Sequence, residues 1–68
     1  MARRSDLTDE EWEALLRVNR GAPESRLVPA TIFERLAELG LAGERGGQRR
    51  VSDRAKQMIL RETDAKHR

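Results

Sequence analysis

Residues 28–56, V-P-A-T-I-F-E-R-L-A-E-L-G-L-A-G-E-R-G-G-Q-R-R-V-S-D-R-A-K, decide how this chain folds. Pro29 suits the first turn of a helix, where its missing N–H costs nothing. Behind it Ile32, Phe33, Leu36 and Leu39 recur at the three-four spacing of one buried helical face. Gly40 can stop that helix, and Leu41 is placed for the apolar contact that accompanies such a stop. From Leu41 the period changes. Four of the five glycines fall between residues 40 and 47, and Gly46-Gly47 tolerates the positive φ that a two-residue hairpin turn needs at both central positions. That turn sets Arg45 against Gln48, Glu44 against Arg49, Gly43 against Arg50 and Ala42 against Val51. Few of these residues are apolar, so a mobile tip is expected. Ser52 can then cap a last helix from Asp53, with Ala55, Met58 and Ile59 inside and Arg54, Lys56, Gln57 and Arg61 outside.

Toward the N-terminus, Leu7-Thr8-Asp9-Glu10-Glu11-Trp12 carries the signature of a helix start. The Thr8 hydroxyl can accept from the N–H of Glu11 while the Glu11 carboxylate accepts from the N–H of Thr8, and Leu7 and Trp12 stand at the hydrophobic-staple positions. A helix from Asp9 follows, burying Trp12, Leu15, Leu16 and either Val18 or Asn19, exposing Glu10, Glu13, Arg17 and Arg20, and ending at Gly21. Trp12 reads as a core anchor. Residues 21–28 form a connection in which Leu27 and Val28 can pair as a short extended segment, because the residue before Pro29 is pushed toward the β region. Leu60 falls off the inner stripe of the last helix, either as an ordinary exposed leucine or as part of a dimer contact. The polar ends, residues 1–6 and 63–68, are expected to fray.

The chain of 68 residues is one domain, and one of this size buries only about 60% of the surface its unfolded form exposes. With no cysteine it has neither disulfide staples nor thiolates, which suits a reducing cytoplasm. The basic start is followed by acidic residues instead of an apolar run, so neither a signal peptide nor a membrane span is expected. The net charge of +2 is unevenly spread: residues 1–25 sum to −2 and residues 26–68 to +4. Such asymmetry orients a molecule in the field of a polyanion.

The helix ending in Leu39-Gly40-Leu41, the hairpin, and Val51-Ser52-Asp53-Arg54-Ala55-Lys56 together resemble the winged helix-turn-helix domains of bacterial transcription regulators. In that family a helix ending in Leu-Gly-Leu feeds the first wing strand. The second wing strand ends in a hydrophobic-Thr-x-x-Gly-Arg signature that opens a final helix, and here Val51, Ser52, Ala55 and Lys56 stand in those places. The resemblance covers residues 27–60. It implies a mostly α fold with a small β-hairpin, three helices plus a wing; the alternative is a three-helix bundle with a disordered loop over residues 43–50. It also implies that the helix from Pro29 to Leu39 holds the recognition position and that Arg45 to Arg50 form the wing. The family has three helices before the wing where two are expected here, and the outer residues of the second are Glu34, Arg35 and Glu38 after Thr31.

Enzymatic chemistry lacks an inventory. His67 is the only histidine and lies in the polar tail, no zinc ligand set exists, and the glycines spell no phosphate loop. The carboxylates Asp9, Glu10, Glu11 and Glu13 answer to the helix dipole. No catalytic residue, cofactor or metal is expected. The functional signal is basic. Arg45, Gln48, Arg49, Arg50 and Arg54, with Arg26, Thr31, Arg35 and the arm Arg3-Arg4, are the candidate nucleic-acid contacts, since guanidinium groups on a hairpin can follow phosphates and release counterions. The competing reading is a solvated turn kept soluble by its arginines. Two functions follow: a small duplex-DNA-binding regulator or phage-type factor, working as a homodimer or beside another protein, and a protein-binding adaptor or inhibitor that uses no nucleic acid.

Overall fold

Thr8 starts the first helix as expected. In the computed structural model, which describes residues 4–66, the N–H of Glu11 donates to Thr8 Oγ1 at 3.1 Å and the N–H of Thr8 donates to Glu11 Oε1 at 2.9 Å. Helix α1 (Asp9–Arg20) therefore opens with a complete capping box, and Leu7 and Trp12 are both buried on either side of it. A 3₁₀ turn, Arg4–Asp6, precedes the cap. Arg4 holds it down by donating to the Leu7 carbonyl at 3.3 Å and lying 4.9 Å from the centroid of the Trp12 ring. The inner face of α1 is Trp12, Ala14, Leu15 and Val18, with Leu16 half-buried and Asn19 exposed. Of the two alternatives at its end, Val18 is the core residue.

The connection is more structured than an extended strand. Residues Glu24–Leu27 form a second 3₁₀ helix after a cis Ala22–Pro23 peptide, and Leu27 is 67% exposed. The expected pairing of Leu27 and Val28 is not made. Val28 alone behaves as a residue before proline, extended at φ −70° and ψ 126° and buried. Pro29 precedes helix α2 (Ala30–Glu38) as its cap instead of entering the first turn, and its carbonyl accepts from the Phe33 N–H at 3.0 Å. Phe33 and Leu36 of α2 are buried, with Ile32 and Leu39 half-buried beside them.

The end of α2 launches the hairpin. Gly40 takes φ +74°, its N–H bonds to the Ala37 carbonyl at 3.0 Å, and the N–H of Leu41 bonds to the Leu36 carbonyl at 2.9 Å. That pair of bonds is a Schellman motif, and it turns Leu41 into the core, where it is 0% exposed. Strand β1 (Ala42–Arg45) then pairs antiparallel with β2 (Gln48–Val51) in the register Ala42↔Val51, Gly43↔Arg50, Glu44↔Arg49, Arg45↔Gln48. Gly46 at φ +57° and Gly47 at φ +77° supply the two left-handed residues of the turn. An ordered hairpin, not a loose loop, fills residues 43–50.

Ser52 welds the foot of the hairpin to both neighbouring helices. Its N–H donates to the Leu41 carbonyl at 2.9 Å, its Oγ donates to the Gly40 carbonyl at 2.8 Å, and the same Oγ accepts from the Ala55 N–H at 3.2 Å to cap helix α3 (Asp53–Lys66). Ala55 and Ile59 join the core with Met58 half-buried, while Leu60 is 58% exposed. Order extends beyond the residues expected to hold it: Arg4–Asp6 is a 3₁₀ turn, and α3 continues through the polar residues to Lys66. Residues 1–3 and 67–68, with Arg3 of the basic arm and His67, lie outside the described residues. The result is mostly helical with one two-stranded hairpin, built around Leu15, Val18, Leu36 and Leu41.

Candidate nucleic-acid interface

The pleat sorts the hairpin into two rows. Side chains alternate along a strand, so Arg49 and Val51 share one face of β2 while Gln48 and Arg50 share the other. The first pair is half-buried and the second exposed. Arg49 turns inward: its Nη1 donates to the Val28 carbonyl at 2.7 Å and to the Ser25 carbonyl at 3.0 Å, and its Cζ lies 4.5 Å from the centroid of the Phe33 ring. These contacts span the strand, the 3₁₀ helix and α2. The guanidinium expected on the cationic finger is therefore a tie between the hairpin and the body. Nη1 alone makes both hydrogen bonds, which leaves the guanidinium carbon over the ring.

Arg35 is also engaged. Its Nε lies 3.7 Å from Glu11 Oε2 and its Nη1 lies 3.7 Å from Glu38 Oε2. The carboxylate that caps α1 thus meets the arginine at the middle of α2, and the outer face of α2 presents Glu34 and Glu38 beside that arginine. Thr31 is exposed in the first turn of that helix. Arg35 lines none of the grooves around the hairpin.

Four candidate arginines face outward without an ion pair among the described residues. Arg45 is exposed beside the turn, and Arg26 is exposed on the 3₁₀ helix, lining a small groove with Gln48 and Arg49. Arg50 is exposed, with its Nη2 3.5 Å from Gln48 Oε1. Arg54 is exposed on α3, yet it lines neither of the grooves between the hairpin and α3. Among the described residues Arg26, Arg45, Arg50 and Arg54 form no ion pair.

Lys56 belongs with them, although the candidate set left it out. It lines a groove of about 270 Å³ between the end of α1 and β2, and another of about 400 Å³ between the hairpin and the first turn of α3. Arg50 lines both as well, so the two cations share one ridge. The smaller groove adds Asn19, Gln48 and Gly21 and has no carboxylate in its wall, while the larger one includes Glu44 and Asp53. Helical geometry contains the missed signal. Lys56 is four residues after the capping Ser52, on the same face, and helical side chains lean toward the N-terminus, which here is the hairpin. Arg54 sits two residues earlier, on the far side of the helix.

Among the described residues no group of three or more His, Cys, Asp and Glu side chains is placed to hold a metal ion, and no helix is long and apolar enough to cross a membrane. No family model, no curated protein and no solved structure matches the chain.

Proposed function

We propose that this chain is a small winged-helix-like DNA-binding protein, of the kind that serves as a transcriptional regulator or phage-type factor in the cytoplasm. The order of elements supports the reading. The 3₁₀ helix Glu24–Leu27 stands between α1 and α2, where the family has its middle helix, and only Val28 and Pro29 separate it from α2. One observation carries the functional part: the groove with Arg50, Lys56, Gln48 and Asn19 in its wall and no carboxylate among them. Arg50, Lys56 and two side-chain amides, with Arg49 in the same wall but bonded inward, offer only donors or neutral dipoles to an incoming phosphate oxygen, and each phosphate neutralised releases counterions. Arg45 and Arg26 flank that surface as further cations.

A single module with a few phosphate contacts binds duplex DNA at about micromolar affinity or weaker at physiological salt, so the working form is a homodimer or a complex with another protein. The test is a salt titration of duplex binding. The wild-type logarithmic slope is expected to lose about two units in Arg50→Ala plus Lys56→Ala, one for each cation. An unchanged affinity and slope in that variant sinks the reading.

A protein-binding adaptor is the second reading, and the exposed carboxylates of α1 and α2 favour it: Asp9, Glu10, Glu13, Glu34 and Glu38. It predicts a partner recovered by pull-down whose retention survives nuclease. Loss of the partner on nuclease treatment counts against it.

A further inference from the structure

We infer that the duplex is recognised by its backbone, without regard to base sequence, and that α2 does not read base edges although it holds the recognition-helix position. This inference rests on the DNA-binding reading above and narrows it. Direct readout in the major groove needs side chains that can approach between two rows of phosphates and donate or accept at base edges, chiefly Arg or Lys on guanine and Asn or Gln on adenine. The exposed face of α2 has neither Asn, Gln nor Lys. Its one arginine, Arg35, lies between Glu11 and Glu38 at 3.7 Å from each. Glu34 and Glu38 flank it with net negative charge, which a groove lined by phosphates repels.

Base stacking is closed as well. The chain has one Trp and one Phe and no Tyr. Trp12 and Phe33 are each 8% exposed, and each ring has an arginine of this chain over it, Arg4 at 4.9 Å and Arg49 at 4.5 Å from the ring centroids. A single strand is held largely by bases stacked on aromatic rings, so it has no platform on these two side chains. What stays available is the outer row of the hairpin and Lys56, whose cations suit phosphates; the amide of that row, Gln48, has its Oε1 turned to Arg50 Nη2 at 3.5 Å. Contacts to phosphates position a protein and do not carry sequence information.

Fluorescence anisotropy with labelled short duplexes of unrelated sequence, AT-rich and GC-rich, beside a single strand of the same length, tests the inference at low salt. Dissociation constants for the duplexes are expected to agree within about threefold, with the single strand weaker, because the contacts are to the duplex backbone. Thr31→Ala should leave all of them unchanged. Glu34→Ala should tighten every duplex by a similar factor, since it removes repulsion without adding a base reader and leaves Arg35 beside Glu11 and Glu38. Circular dichroism confirms that both variants fold, and these positions are exposed, so each remains informative if the other fails. A spread of more than about tenfold among duplexes that shrinks in Thr31→Ala overturns the inference and leaves DNA binding standing, because a good base contact is worth about that much discrimination. Equal affinity for the single strand overturns it too. If no duplex binds at any salt, the DNA-binding reading falls, and this inference with it.

Discussion

Arg49 and Arg50 are adjacent, carry the same side chain and lie in the same strand, yet one is fastened to two backbone carbonyls and a phenyl ring while the other faces solvent. The pleat alone separates them: side chains one residue apart project to opposite faces of a strand. Arg49 helps set where the hairpin stands on the body, and Arg50 sits on the surface thereby presented. Counting basic residues along the sequence gives the hairpin three arginines, whereas its exposed row has two, Arg45 and Arg50. A cluster in sequence overstates a cationic surface whenever half its members face inward. The same division recurs between Lys56, which leans back toward the hairpin, and Arg54, which does not.

The division depends first on the core beneath the inner row. Leu41, 0% exposed, links α2 to β1, and its backbone bonds both Leu36 and Ser52. Leu41→Ala is expected to cost about 2–5 kcal/mol through lost burial and the cavity left behind. A chain of this length has on the order of 3–10 kcal/mol in total, so the variant should lose a large share of its stability and melt well below wild type by circular dichroism. A melting curve close to wild type would mean that the hairpin is not seated on the core in this way.

Arg49→Ala comes next. It leaves the Val28 and Ser25 carbonyls without this donor and strips the cation from the Phe33 ring, a loss of about 2–3 kcal/mol for a charge-assisted contact of this kind. Thermal denaturation should show a fall on the order of 10 °C. Arg49→Lys should recover only part of it, because a compact ammonium that takes the place of Nη1 at the two carbonyls has no planar group left to stack on the ring. An Arg49→Ala protein with the wild-type melting temperature and weaker DNA binding would put Arg49 on the outer row and erase the contrast with Arg50.

Ser52→Ala is smaller in effect, about 1 kcal/mol, the usual cost of losing a serine N-cap. It also removes the hydroxyl donor to the Gly40 carbonyl, which joins the end of α2 to the start of α3. Denaturant midpoints measured beside Arg49→Ala would rank the two ties that hold the hairpin, one at its foot and one along its inner face.

Much of this was legible in residues close together in the chain. The capping box at Thr8, the Gly46-Gly47 turn and the cap at Ser52 depend on groups within a few positions of one another, so local chemistry specifies them; the two-residue turn then dictates the whole register. Arg49 could have been placed inward too, since Val51 must face the core and lies two residues away. The 3₁₀ helix Glu24–Leu27 was not legible, because its Ser25 carbonyl is engaged by an arginine 24 positions later. Nor was the Glu11–Arg35 pair, again 24 residues apart, which requires α1 already packed on α2. Ala14 was passed over because a single methyl gives little periodic signal, and its burial depends on how closely that packing brings the helices.

Arg50→Ala is expected to change stability least and binding clearly, which makes it the sharpest complement to Arg49→Ala. The side chain is exposed, and its hydrogen bond to Gln48, at 3.5 Å, is long and solvent-facing. Substitutions at such positions usually stay within about 0.5 kcal/mol. On the proposed DNA-binding function its effect on affinity is larger, because Arg50 lines both grooves beside the hairpin and can meet phosphates on either side. Losing one phosphate contact should lower the logarithmic salt slope by about one unit while the melting temperature holds. Arg54→Ala, another exposed arginine on the neighbouring helix, is the control: its side chain borders neither groove, so its slope should stay at the wild-type value. Equal losses from Arg50→Ala and Arg54→Ala would indicate that net charge, and not the placement of Arg50 on the ridge with Lys56, governs the interaction.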